Sequence, residues 1–91
     1  MTFEWNEAKN RSNIRKHGLD FADAEEMFRG FLLVRPDTRE DYGEERYVTI
    51  GMAEGHVLLF VAYTERVGRI RIISAREVTQ HEQDDYFRQN A

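Results

Sequence analysis

The spacing of apolar residues changes along the chain, from sparse, to a period of three or four, to strict alternation, and these changes mark out the elements. Residues 3–5, Phe-Glu-Trp, have the aromatic content of a short strand. Asn6 is a good cap for a helix running from Glu7 toward His17, and Gly18 ends it. That helix has few apolar positions, essentially Ala8 and Ile14, which predicts a solvated helix with a basic exposed face. Asp20 caps a second helix in which Phe21, Ala24 and Phe28 form the buried stripe, with Gly30 as its stop.

Beyond Gly30 the period becomes two. Residues 31–34 read as a strand closed by Pro36, the sole proline, and residues 37–43 have loop composition. Residues 46–52 alternate, with Val48, Ile50 and Met52 on one face beside Arg46. A turn at Glu54-Gly55 leads into residues 56–65, apolar on both faces and so expected at the centre of a sheet. A second turn at residues 66–68 leads into Arg-Ile-Arg-Ile-Ile-Ser-Ala at 69–75. Thr79 and Glu82 stand at capping-box spacing and open a last helix to about Gln89, whose adjacent Tyr86 and Phe87 do not both fit one buried stripe. The order strand, helix, helix, four strands, helix predicts a single α+β domain over residues 1–91. It is an antiparallel β-sheet meander with two N-terminal helices and a C-terminal helix.

Composition narrows the class. With 41% hydrophobic and 33% charged residues of mixed sign, the chain is composed to fold. It has no cysteine, hence no disulfide framework, no thiolate nucleophile and no sulfur ligand for a metal. The acidic N-terminal segment has no apolar signal core, and the longest apolar run, residues 57–63, is too short to span a bilayer. A cytoplasmic protein that does not engage a membrane is expected. The net charge of −4 argues against a non-specific nucleic-acid binder, yet the charge is polarised: residues 8–19 carry a local +4 and residues 46–76 a +3. The acids gather at residues 20–26, 37–45 and 77–85.

The cations at 69–76 alternate with β-branched residues, so Arg69 and Arg71 share one strand face while Ile70 and Ile72 share the other. An edge strand protected by charge accounts for this pattern, and so does an anion site, because guanidinium forks match phosphate oxygens. In a regular strand Arg76 faces away from Arg71, and the two converge only if the chain turns or bulges near Ser74.

An ordered set of short motifs is more specific. Phe3-x-Trp5-Asn6-x-x-Lys9, Asn13-x-x-Lys16-His17-Gly18, Phe21-x-x-Ala24, Arg46-Tyr47-x-x-Ile50-Gly51, Tyr63-Thr64-Glu65-Arg66 and Arg71-Ile-Ile-Ser74-Ala75-Arg76 together resemble the BrnT family of type II toxins over nearly the whole chain. The resemblance implies a RelE-like ribonuclease fold and RNA cleavage that blocks translation. It also implies neutralisation by a BrnA-type ribbon-helix-helix antitoxin, through which alone the toxin would reach operator DNA.

Metal-free cleavage needs a base for the 2′-hydroxyl proton, an acid for the departing 5′-oxygen and fixed cations around the phosphorus. Arg46, Arg71 and Arg76 are the candidates for phosphate and transition-state contacts, Arg76 having the competing role of pairing with a carboxylate at the start of the last helix. His17 suits proton transfer and equally suits capping a helix C-terminus. Tyr63 at the end of the central strand offers a proton or a stacking face, against the alternative of a half-buried aromatic. Lys16, Trp5 and Arg66 are the candidate RNA contacts, Trp5 being otherwise a core anchor. His56 and His81 lie outside the motifs and make no metal-ligand spacing with His17, so neither metal nor cofactor is expected. The alternative function is a decayed toxin, a non-catalytic module that binds antitoxin or RNA without cutting.

Overall fold

The computed structural model describes residues 1–55 and 57–90; the expectation for His56 lies outside the described residues. The chain runs β1 (Thr2–Glu4), α1 (Glu7–His17), α2 (Phe21–Glu25), a 3-10 helix (Glu26–Arg29), β2 (Leu32–Pro36), β3 (Tyr47–Ala53), β4 (Val57–Arg66), β5 (Arg69–Glu77) and α3 (Gln80–Gln89). One five-stranded sheet has the order β1-β5-β4-β3-β2. From β2 to β5 every pairing is antiparallel, β3–β4 and β4–β5 through short turns and β2–β3 across the loop of residues 37–46, and β4 lies at the centre. The outer strand corrects the expectation of a purely antiparallel sheet. β1 pairs in parallel with β5, Phe3 opposite Ile70, so the sheet is mixed. No turn joins these two strands, so no hairpin dictates their relative direction. Among the described residues no helix is long and apolar enough to cross a membrane.

The first face of the sheet is closed by α2 and the 3-10 helix. Phe21, Ala24, Met27, Leu59, Val61, Tyr63, Ile72 and Ala75 are buried there, with Phe3, Trp5, Phe28 and Tyr47 packed around them. The expected stripe Phe21, Ala24, Phe28 becomes Phe21, Ala24, Met27, all fully buried. A constant spacing of three fits the tighter 3-10 helix that takes over at Glu26. Met27 reaches bare backbone at Gly51, where an added Cβ would stand 3.1 Å from Met27 Cβ and 2.7 Å from Leu32 Cδ2.

α1 docks in a way its apolar residues did not announce. Asn6 caps it by accepting from the Lys9 N–H at 3.0 Å, and Gly18 closes it at φ 72° with its N–H on the Ile14 carbonyl. Its buried side chains are Asn10 and Asn13, while Ile14 is exposed. The Asn13 amide donates to the carbonyls of Ala75 (2.9 Å) and Leu19 (2.9 Å) and accepts from the Ala75 N–H (3.1 Å). β1 covers β5 only from Arg69 to Arg71, so this one side chain satisfies the backbone further along that edge. Asn10 accepts from the Phe21 N–H at 2.9 Å and donates to Asp20 at 3.0 Å, fixing the start of α2.

Candidate functional site

The second face of the sheet is only half covered. Pairing across the strands gives three successive rows on it. The first runs Glu4, Arg71, Thr64, with Arg46 next in line at the head of β3; the second is Ser74, Ala62, Val48, Arg35; the third is Arg76, Phe60, Ile50, Leu33. α3 lies over the third row, where Tyr86 is buried against Ile50 and Leu58, with Leu33, Phe60 and Val78 beside them. Phe87 next to Tyr86 stays half exposed, as the spacing of the two aromatics predicts. Among the described residues no helix covers the first two rows, and buried Ala62 and Thr64, the latter donating to the Glu45 carbonyl at 2.6 Å, form the floor of a trough between longer side chains.

The arrangement depends on a bulge. Between the pairs Tyr63–Ile72 and Ala62–Ser74 the register shifts by one residue, and Ile73 has no partner on β4. The extra residue reverses the facing of everything after it, so Ala75 joins Ile70 and Ile72 in the core while Arg76 shares the second face with Arg71. The two arginines thus lie on one side of the sheet for the reason the alternation demanded.

Each arginine around the trough has a carboxylate within 4 Å. Arg71 donates to Glu4 at 2.7 Å, and Arg35 to Asp85 of α3 at 2.6 Å. Arg76 grips Glu82 with two bonds of 2.9 and 3.0 Å while its guanidinium lies 4.0 Å over the Phe60 ring. Glu82 also closes the capping box with Thr79, and the Arg76 guanidinium holds its carboxyl below the usual range. Arg76 therefore fills the role of fastening the last helix. Arg66 pairs with Glu44 at 3.0 Å, and Arg46 stands 3.7 Å from the same carboxylate.

Of the residues singled out in the sequence, Arg46, Arg66, Arg71 and Arg76 come together on this face. The others do not. Trp5 packs edge-to-face on Phe21 at 6.2 Å and donates to Glu7, a core anchor. Tyr63 is buried on the first face, stacked on Tyr47 at 5.5 Å and edge-on to Phe28 at 5.4 Å, and burial raises its hydroxyl pKa. Lys16 and His17 are exposed in the last turn of α1, on the helix fastened to α2 and to the edge of β5, away from the row that holds Arg46 and Arg71. Glu4, Thr64 and Arg35 belong to the trough and were missed. Extending the alternation of Leu33 by one step names Arg35; Glu4 becomes visible only once β1 is known to lie beside β5.

Both the sequence and the fold are similar to known proteins. A family model described as "Ribonuclease toxin, BrnT, of type II toxin-antitoxin system" matches residues 5–82. The chain belongs to this family. A crystal structure of the Brucella abortus ribonuclease toxin BrnT is similar at 31% sequence identity and a TM-score of 0.69, the match covering 88% of this chain and 99% of that one. No curated protein matches the chain in sequence. A BrnT toxin is a ribonuclease of a type II toxin-antitoxin system, and such a system supplies an antitoxin as the toxin's partner. The matched residues include every row position of the trough except Glu4.

Proposed function

We propose that the chain is a metal-independent endoribonuclease of RelE-like type whose trough on the second face of the sheet binds RNA. In this reading the 2′-oxygen attacks the adjacent phosphorus, the bond to the 5′-oxygen breaks, and a 2′,3′-cyclic phosphate remains. One proton leaves the 2′-hydroxyl and one reaches the departing oxygen. Arg46 and Arg71 supply fixed positive charge to the phosphorane oxygens, and Arg66 extends the contact along the strand. The observation that carries the reading is the first row, Arg71, Thr64 and Arg46, where two cations flank one small residue on an open surface of a ribonuclease-family fold. Guanidinium groups keep their protons at neutral pH and serve transition-state charge without a Lewis acid. Among the described residues no group of three or more His, Asp or Glu side chains is arranged to hold a metal ion.

The ion pairs shape binding. RNA must displace Glu4 from Arg71, so the −4 chain offers its arginines only to a polyanion that outcompetes its own carboxylates. In the cell this activity blocks translation in the cytoplasm until a BrnA-type ribbon-helix-helix antitoxin, also the link to operator DNA, neutralises it. Induction without the neighbouring antitoxin gene tests the reading directly: growth stops and RNA fragments with cyclic phosphate ends accumulate. Purified protein should cut in EDTA at an undiminished rate. Growth arrest with intact RNA would instead support the non-catalytic binding module.

A further inference from the structure

Arg46 is held differently from the other arginines of its face. Arg35, Arg71 and Arg76 each donate at 2.6, 2.7 and 2.9 Å to a carboxylate. Arg46 makes no such bond among the described residues: its Nε is buried without a hydrogen-bond partner, and Glu44 stays 3.7 Å away. Its guanidinium lies instead 4.0 Å over the ring of Tyr42. A π face attracts and orients a cation without consuming its N–H donors.

Tyr42 is itself fixed by a residue five positions earlier. Asp37 is buried at the bend after β2, and its carboxylate accepts from the Tyr42 hydroxyl at 3.2 Å and from Arg39 Nε and Nη2 at 2.8 Å each. Its backbone N–H donates to the Arg46 carbonyl at 2.7 Å. A single residue thus closes the loop at both levels, tying the main chain of Arg46 and the ring beneath its side chain. The Arg39 guanidinium holds the Asp37 carboxyl at about 2, so the charge that does this is permanent at any working pH.

We propose that Asp37 is a positioning residue for Arg46, acting through Tyr42 and the closure of residues 37–46 to hold the guanidinium beside the trough with its terminal Nη donors left for an RNA phosphate. The proposal rests on the phosphate-binding role given to Arg46 above. Its test is a cycle of cleavage rates for Asp37→Asn, Arg46→Ala and the double variant. Because Asp37 works through Arg46, Asp37→Asn should lower kcat by about tenfold with an intact Arg46, and change the residual rate by less than about twofold once Arg46 is gone. Equal losses in both backgrounds overturn the proposal. An Arg46→Ala protein that cuts at the wild-type rate overturns the Arg46 reading, and the proposal's kinetic part with it.

A second readout needs no RNA. The Arg46 Nε–H resonance in a proton–nitrogen NMR spectrum should be displaced by the Tyr42 ring current. Tyr42→Phe, which keeps the ring but loses its bond to Asp37, should reduce that displacement, and Tyr42→Leu and Asp37→Asn should lose it. An unchanged resonance in Asp37→Asn shows that Arg46 is held without Asp37 and overturns the proposal. If Asp37→Asn does not fold, the tyrosine pair carries the test: the Phe variant should cut faster than the Leu variant, and equal rates count against the mechanism.

Discussion

The two terminal parts of the helical framework are attached to the same sheet by opposite chemistry. α1 is joined by neutral amides, Asn10 and Asn13, whose hydrogen bonds to backbone are buried. α3 is joined by ion pairs, Arg76 to Glu82 and Arg35 to Asp85, around a modest apolar contact centred on Tyr86. A buried amide takes no part in titration and is little affected by salt, whereas the latches of α3 lie at the rim of an open face where ions and protons reach them. The first face is therefore a sealed scaffold. The second face keeps its charge where a polyanion has access, and α3 is held by the kind of bond that RNA itself makes.

Asn13→Ala should break the neutral joint with the largest effect on stability. It removes three hydrogen bonds and leaves the Ala75 N–H and carbonyl and the Leu19 carbonyl without that partner. Orphaning a buried polar group costs roughly 1–3 kcal/mol when water cannot replace the bond; with the Leu19 carbonyl only part-buried and the two Ala75 groups sharing one relaxed edge, the total falls short of the sum, at about 2–4 kcal/mol. For a domain of this size that corresponds to a fall of roughly 10–25 °C in Tm. The loss should be the same at low and high salt. A melting temperature within a few degrees of wild type means that water takes over the edge of β5.

Arg71→Ala probes the open face. Its charge faces the trough while Ile70 and Ile72 on the other side of β5 remain packed, and only the pair with Glu4 is lost. Stability should change by about 1 kcal/mol or less. Cleavage should fall by about a hundredfold, the usual loss for one preorganised donor to transition-state charge. A folded variant that still arrests growth removes Arg71 from the chemistry. Glu4→Gln is the complement: with its competitor gone, Arg71 should bind RNA more tightly, and KM should drop.

The contrast between the joints also explains what was legible in the sequence. Strands β3 and β5 announced themselves by alternation, β4 by its unbroken apolar run, and α3 by Thr79 and Glu82, because each signal resides within a few neighbouring residues. The pairing of β1 with β5 spans almost seventy residues and leaves no local trace. Neither does the docking of α1, since an asparagine on a polar helix looks solvated until a strand edge lies beside it. The trough was half visible. Arg71 and Arg46 stood in motifs, but the bulge at Ile73 that turns Arg76 to the same face reads in the sequence as three more residues of ordinary strand.

Glu82→Gln weakens the ionic joint by a smaller amount and gives it a pH signature. The Glu82 carboxyl is held below its ordinary value of 4.5, chiefly by Arg76, so it contributes stability above pH 4.5 that is lost as the pH falls through its lower folded value. In Glu82→Gln that component is absent. Its unfolding free energy at neutral pH should be lower by about 1 kcal/mol, and its decline on acidification below pH 4.5 shallower than that of the wild type. Raised salt should narrow the gap between the two proteins, in contrast with Asn13→Ala. Parallel acid curves for the two proteins place the acid-sensitive charge elsewhere.

The smallest effect expected is that of Tyr63→Phe, and its smallness is what separates the two faces. The Tyr63 ring lies in the first-face core against Phe28 and Tyr47, and burial keeps its hydroxyl protonated well beyond neutral pH. Phenylalanine preserves the ring and its packing, so stability should move by no more than about 0.5 kcal/mol. With the trough on the opposite face, cleavage should stay within about twofold of wild type, whereas loss of a group that transfers a proton costs about a hundredfold or more. The two magnitudes do not overlap, so one rate measurement on a protein of unchanged Tm decides. A hundredfold loss would carry the chemistry through the sheet to its first face, and the division between a sealed scaffold and an open charged surface would fail.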